Sequence, residues 1–296
     1  MKKYIIVTGG AGFVGSNLIE FLIKNSNYKI ISLDNYSSGS KKNHIKNRRI
    51  RYINGDTNQI DLIFKKLKKK ITTIFHFGEF ARIHQSFFNL NECINSNIRG
   101  TARVLNFCLE NKIKLIYSAT SASLGNKGFD QDLSPYAFTK AKNLQLIVRL
   151  NKWFRLSYEV LYFYNVYGPK QIKKGSMSTV IGIFEDQYLK NKSLTVVKPG
   201  TQSRKFTHIS DTVKGCFYAW KKNKNRHYSL SNAKSYTMLE VAKMFSSNIR
   251  MVRPRLGERH KSSLVVKVGS TKIYKYPCIT NLKDYIFSFK KNCNKN

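Results

Sequence analysis

Between an apolar run, Tyr4-Ile5-Ile6-Val7, and an amphipathic stretch from Phe13 to Lys24 stands the segment Thr8-Gly9-Gly10-Ala11-Gly12-Phe13-Val14-Gly15, which satisfies both G-x-G-x-x-G and G-x-x-G-x-x-G. So short a passage from strand to helix needs residues without Cβ, so that the backbone can turn tightly, approach a pyrophosphate and aim the helix N-terminus at it. Gly9, Gly12, Phe13, Val14 and Gly15 are therefore the expected dinucleotide-binding turn. Asp34 ends the next apolar run, roughly 20 residues further on. A carboxylate there accepts hydrogen bonds from ribose hydroxyls and repels the extra phosphate of NADP, so Asp34 and Asn35 point to NAD. Asp56, in Asn54-Gly55-Asp56, is a candidate for holding the adenine, and a plain turn aspartate is the competing reading.

The same rhythm continues through Lys29 to Leu33, Ile50 to Ile53, Ile71 to Phe77, Ile113 to Tyr117 and Tyr158 to Phe163, with helical periodicity between several of these runs. Strand and helix in alternation imply parallel pairing, because each crossover covers one face of the sheet. The expected fold is α/β: a Rossmann-type doubly wound parallel sheet over 1–168, with a returning segment near 207–232. After Gly168-Pro169 the pattern becomes irregular, with helical stretches from about Thr179 to Lys190 and near Met238 to Phe245. These predict a smaller, mixed α/β substrate lobe from 169–206 and 233–296, ending in a frayed Lys290 to Asn296.

At 296 residues the chain has material for a large core and a companion lobe. No stretch approaches the roughly 20 apolar residues that span a bilayer, and the N-terminus runs directly into a strand, so no membrane association and a cytoplasmic location are expected. Cys93, Cys108, Cys216, Cys278 and Cys293 are scattered without C-x-x-C spacing, which predicts buried thiols rather than disulfides or a metal site. The net charge of +37 raises the possibility of a nucleic-acid partner. No aromatic-interleaved basic motif accompanies it, and lysines dispersed over nearly every segment read as tolerant surface positions, so such a partner is not expected.

Ser134-Pro135-Tyr136-Ala137-Phe138-Thr139-Lys140 places a tyrosine and a lysine one helical turn apart on one face. A phenol is a poor base near neutrality, and a neighbouring ammonium favours its phenolate. The pattern predicts Tyr136 as the proton-transfer group for a sugar hydroxyl, tuned by Lys140, which also reaches the nicotinamide ribose. Upstream, Lys114 to Tyr117 runs into the hydroxyl-rich Ser118-Ala119-Thr120-Ser121-Ala122-Ser123. Thr120 is the candidate there for a hydrogen-bond network with the reacting oxygen.

With these residues in view, the chain resembles the extended short-chain dehydrogenase/reductases, in the nucleotide-sugar epimerase and dehydratase branch typified by UDP-glucose 4-epimerase. The resemblance spans nearly the whole chain. Its markers are T-G-G-A-G-F-V-G at 8–15, D-N at 34–35, F-H-F-G at 75–78, N-I-R-G-T at 97–101, S-P-Y-A-F-T-K at 134–140, Y-N-V-Y-G-P at 164–169 and Q-S-R-K-F-T-H-I-S-D at 202–211. It implies a catalytic set of Tyr136, Lys140 and Thr120, the last standing five residues before Gly125. It also implies that Asn165, Arg204 and Arg255 contact the substrate diphosphate, a role suited to the planar guanidinium fork. Homodimers through the helices around Asn97 to Glu110 and Tyr136 to Arg149 follow from the same resemblance.

Departures from the pattern narrow the reaction. Where 4,6-dehydratases carry an acidic pair after the threonine this chain has Ser121-Ala122, and UDP-glucuronate decarboxylases place a glutamate where Ala122 stands. The expectation is C4 epimerisation of a nucleotide-diphosphate sugar through a transient 4-keto intermediate. A keto-sugar nucleotide reductase or dehydratase is the alternative, and a non-catalytic dinucleotide-binding protein is a third reading. Glu79 replaces a small residue and is expected to pair locally with Arg82, with contact to a sugar hydroxyl as the competing reading. Lys205 replaces an aspartate, and His76 reads as a satisfied core histidine.

Overall fold

The computed structural model describes residues 3–123, 132–257, 267–268 and 271–293. Its first half comprises β1 (Tyr4–Thr8), α1 (Phe13–Asn25), β2 (Lys29–Asp34), β3 (Ile50–Asn54), α2 (Ile60–Phe64), β4 (Ile71–His76), α3 (Ile83–Ser86), α4 (Leu90–Ile94), α5 (Thr101–Glu110), β5 (Lys114–Thr120), α6 (Pro135–Phe154) and β6 (Tyr158–Phe163). Then follow β7 (Val166–Tyr167), α7 (Val180–Leu189), β8 (Leu194–Val197), β9 (Ser203–Lys205), β10 (Thr207–His208), α8 (Ile209–Lys222) and β11 (His227–Asn232). The chain closes with β12 (Ser235–Thr237), α9 (Met238–Phe245), β13 (Ile249–Val252), β14 (Lys267–Val268), β15 (Thr271–Cys278) and α10 (Leu282–Cys293).

The large sheet has the order β14-β15-β11-β6-β5-β4-β1-β2-β3, parallel throughout except for β14 at its edge. Its central strands are apolar without alternation because both faces are covered. Ile6, Ile31 and Leu115 pack on the side of α5 and α6 with Val104, Phe107 and Ile147. Ile5, Val7 and Ile116 pack on the opposite side, with Leu18 and Leu22 of α1 and Val213 and Cys216 of α8. The strand order reverses between β1 and β4, which opens a crevice at the carboxyl ends where ligands of such sheets bind.

A separate cluster of Tyr167, Ile181, Phe184, Leu194, Val196, Phe206, Phe245 and Ile286 forms the core of the smaller lobe. Its short sheets pair β8 with β13, β9 with β12, and β7 with β10. Two expectations for the C-terminal region need correction. β15 pairs with β11 over Ile273–Cys278 and with β14 at Thr271 and Lys272, so 271–278 lies in the large sheet and not in the lobe expected over 233–296. Residues 290–293 are the last turn of α10 rather than a frayed end, because Leu282 and Ile286 anchor that helix in the lobe core, while the 294–296 part of that expectation lies outside the described residues. Among the described residues, no helix is long and apolar enough to cross a membrane.

Candidate active site

The glycine turn is shaped by contacts that exclude side chains. Gly9 has φ +66°, and a Cβ there would lie 2.9 Å from the backbone of Phe77 and Gly78. A Cβ on Gly15 would lie 2.2 Å from the Gly9 carbonyl oxygen, so the first turn of α1 can close on the loop only without one. Helix α1 starts after Gly12 with no side-chain cap and no acidic residue in its first turn. Uncapped N–H groups and the helix dipole thus face the cavity bordered by Gly12, Phe13, Val14 and Gly15, an arrangement that fits a pyrophosphate.

Thr8, at the end of β1, joins this turn to β4. Its Oγ1 accepts from the N–H groups of Phe77 (3.1 Å) and Gly78 (2.9 Å) and contacts His76 Nδ1 at 2.8 Å. His76 Nε2 lies 2.9 Å from Thr101 Oγ1, whose hydroxyl donates to Glu79 Oε1 at 3.1 Å. Because Thr101 has a single O–H and gives it to Glu79, His76 must carry its proton on Nε2 and accept from Thr8 on Nδ1. Burial lowers the His76 imidazole to about 4 and keeps it neutral. It is the satisfied core histidine anticipated from the sequence, and it orients a chain of hydrogen bonds from the glycine turn to Glu79.

Asp34 ends β2 beside the turn. Its Oδ2 accepts from Ala11 N at 2.9 Å and its Oδ1 from Tyr36 N at 2.8 Å. Burial raises its carboxyl above the ordinary range in spite of these bonds. Each oxygen keeps further acceptor capacity for ribose hydroxyls. Asn35 Nδ2 donates to Asp56 Oδ2 at 3.0 Å, and Asp56 Oδ1 caps the turn at Thr57 by accepting from Asn58 N at 2.8 Å. Asp56 therefore has the structural role of a turn aspartate and also borders the cavity.

Helix α6 begins where local chemistry directs it. Ser134 Oγ caps Ala137 N at 3.1 Å, Pro135 occupies the first turn, and Tyr136 N donates to the buried Ser86 Oγ at 3.2 Å. Tyr136 and Lys140 then fall one turn apart, both buried and both facing the cavity. Burial pushes the Tyr136 phenol up to about 12; a hydrogen bond with Thr120 opposes this, the Glu79 charge adds to it, and the Arg82 charge opposes it.

Lys140 meets a partner that the spacing does not predict. Its Nζ lies 2.5 Å from Glu79 Oε2 and donates to the Ser118 carbonyl at 2.5 Å, so a carboxylate at contact distance matches its charge. Glu79 pairs with Lys140 and not with Arg82, whose Nε and Nη2 both donate to the Met177 carbonyl. Glu79 Oε1 also accepts from Tyr117 OH (3.1 Å) and Asn143 Nδ2 (3.2 Å).

At the lobe end, Asn165 has φ +35° and donates Nδ2 to the Lys205 carbonyl at 2.8 Å, tying the loop after β6 to β9. Lys205 Nζ is turned away to the carbonyls of Asn232 and Ala233. Arg204, on β9, borders the cavity, as does Arg255 on the exposed turn before Gly257. Gly125, the expected end of the Thr120 turn, lies outside the described residues.

One cavity of about 710 Å³ is bordered by Gly9, Gly12, Phe13, Val14, Gly15, Asp34, Asn35 and Asp56 at one end, Thr120, Tyr136 and Lys140 between, and Asn165, Arg204 and Arg255 at the other. Every candidate read from the sequence thus reaches the same space. Tyr117, Asn143 and Arg82 were not read as site residues. Asn143 follows Lys140 by nearly one turn, a spacing that places it on the same face and could have revealed it.

The chain is similar to known proteins over most of its length. Residues 5–231 match the NAD dependent epimerase/dehydratase family. A protein of Methanocaldococcus jannaschii provisionally named UDP-glucose 4-epimerase is 31% identical over 89% of this chain and 90% of its own length. UDP-glucuronic acid decarboxylase 6 of Arabidopsis thaliana is 27% identical over 83% of this chain and 74% of its own length. The crystal structure of a Tyr-to-Phe variant of UDP-glucuronic acid 4-epimerase from Bacillus cereus, bound to a fluorinated UDP-glucuronic acid and NAD, superposes with TM-score 0.85. It is 26% identical and covers 99% of each chain.

Proposed function

The chain belongs to the NAD-dependent epimerase/dehydratase family, and from that premise we propose that it epimerises the sugar of a nucleotide diphosphate at C4 through a transient 4-keto sugar. The observation that carries the reading is the shared cavity, which has a Cβ-free helix N-terminus at one end, two arginines at the other, and Tyr136 with Thr120 between them. NAD is the family's cofactor, and when bound it supplies reversible two-electron redox chemistry to the sugar carbon.

On this reading the α1 N-terminus at Gly12 to Gly15 holds the pyrophosphate, Asp34 and Asn35 the adenosine ribose, and Asp56 the adenine. Among the described residues, Glu79 and Ser118 take two of the three N–H donors of Lys140, which leaves the third for the nicotinamide ribose. As the phenolate, its own proton having left to solvent, Tyr136 takes the proton of the 4-hydroxyl and later returns it, with Thr120 sharing the hydrogen bond. Asn165, Arg204 and Arg255 hold the substrate diphosphate, and the reaction needs no net reductant because the electrons go back to the same carbon.

Position 122 favours epimerisation over elimination or decarboxylation. Ala122 is buried in a cluster with Phe80, Cys93, Tyr136 and Ala137, so it offers no carboxyl group to the sugar. The protein is also taken to act as a homodimer through the helices around Asn97 to Glu110 and Tyr136 to Arg149, the second of which exposes Phe138 and Leu146. The test is to assay purified protein for bound NAD(H) and incubate it with a panel of UDP-, dTDP-, GDP- and ADP-sugars, following products by NMR. Inversion at C4 of one sugar without added cofactor is expected. Protein that carries no NAD(H) and turns over none of the panel overturns the proposal.

A further inference from the structure

The Glu79–Lys140 pair is an unusual object to find beneath a proton-transfer tyrosine. The two side chains are 1% and 4% exposed. Withdrawing opposite charges from water costs more than their attraction returns unless the remaining lone pairs and protons are also satisfied. Here they are. Glu79 Oε1 accepts from Thr101, Tyr117 and Asn143, and Oε2 faces Lys140. The ammonium in turn donates to Ser118 O and lies 4.6 Å from the centre of the Tyr117 ring. Three donors from α5, β5 and α6 thus fix a carboxylate, and that carboxylate fixes the lysine.

We propose that Glu79 is a positioning residue whose carboxylate holds Lys140 in place and cancels its charge, so that Lys140 serves this site as an oriented hydrogen-bond donor and not as the cation that ionises Tyr136. The inference rests on Tyr136 being the proton-transfer group. The titratable and charged groups acting on Tyr136 are Glu79 and Arg82 from the segment after β4, Cys93 from α4 and Tyr117 from β5, and Lys140 borders the same cavity from the helix that carries Tyr136. His76 faces Glu79 and Lys140 from β4 and stays neutral, so it adds no compensating charge.

The experiment follows Tyr136 ionisation in the full-length protein by ultraviolet tyrosinate absorbance, taken as the difference from the matching Tyr136→Phe protein, with and without NAD. Glu79→Gln removes the cancelling charge and leaves the ammonium, so the phenolate should form at least about one pH unit lower than in the wild type. An unchanged midpoint overturns the proposal. Should that protein fail to fold, the double variant Glu79→Gln with Lys140→Gln removes both charges together. Its midpoint should stay close to the wild type, and a rise of about one unit or more, as the loss of an uncancelled ammonium would cause, overturns the proposal. The titration needs no sugar. A substrate panel without turnover therefore counts against the reaction alone, whereas an active enzyme with an unmoved midpoint counts against Glu79 alone.

Discussion

Tyr117 serves Lys140 twice: its ring lies 4.6 Å from the ammonium, and its hydroxyl donates at 3.1 Å to the carboxylate paired with that ammonium. Tyr117→Phe keeps the ring and deletes the donor. Loss of a buried hydrogen bond to a charged acceptor should lower stability by about 1.5–3 kcal/mol, read from urea unfolding. No change in the unfolding midpoint would mean that the bond contributes nothing.

Tyr136→Phe removes the group that exchanges the proton while preserving the buried ring. Turnover of the accepted nucleotide-sugar should fall roughly a hundredfold to ten-thousandfold, with NAD content per subunit unchanged. A variant that lost its NAD as well would assign the hydroxyl to cofactor retention instead.

Asp34 holds its carboxylate against Ala11 and Tyr36 at the mouth of the cofactor end. Asp34→Asn removes the negative charge that opposes an added phosphate on the ribose. The ratio of NADP to NAD affinity should rise at least about tenfold, or ~1.4 kcal/mol, by fluorescence titration. If the ratio does not move, cofactor choice is decided elsewhere.

His76 and His227 are wholly buried, and burial lowers each imidazole to about 4 from the ordinary 6.5. The unfolded chain therefore binds more protons between those values. Stability is present in full above pH 6.5 and declines as the pH falls toward 4, by roughly 3 kcal/mol for each histidine. His227→Gln should make the pH dependence of the urea midpoint shallower, and an identical slope in wild type and variant would refute the assignment.

Leu146 and Trp153 are exposed on α6, and Leu90 and Ile94 are exposed on α4. If two copies meet there, Leu146→Asp with Trp153→Asp should convert a dimer to a monomer in sedimentation velocity, since charges would be buried at the centre of the contact. Wild-type protein that sediments as a monomer would remove the premise.

The strand and helix rhythm up to Phe163 is legible because a parallel sheet covered on both faces demands unbroken apolar runs, such as Leu115-Ile116-Tyr117. The glycine turn and the Tyr136/Lys140 spacing are legible for a similar reason, since their chemistry is local. β15 is not, because Lys272, Lys275 and Pro277 are exposed and dilute its apolar signal. Nor is the partner of Lys140. Glu79 stands 61 residues away, and only the approach of β4 to α6 puts the two together. A spacing rule identifies which side chains share a face, but it cannot identify the charge that comes to meet them from another element.

The interleaving of the two lobes has a consequence for how the protein is made. The polypeptide leaves the large sheet after β6, comes back for α8 and β11, departs into β12 and α9, and comes back again for β15 before α10 ends in the small lobe. During synthesis the ribosome must therefore release nearly the entire chain before that sheet can be finished. Neither lobe is a finished unit while the other is missing, and a protease cut or premature stop near the C-terminus would damage the platform beneath the cofactor as surely as one near the start.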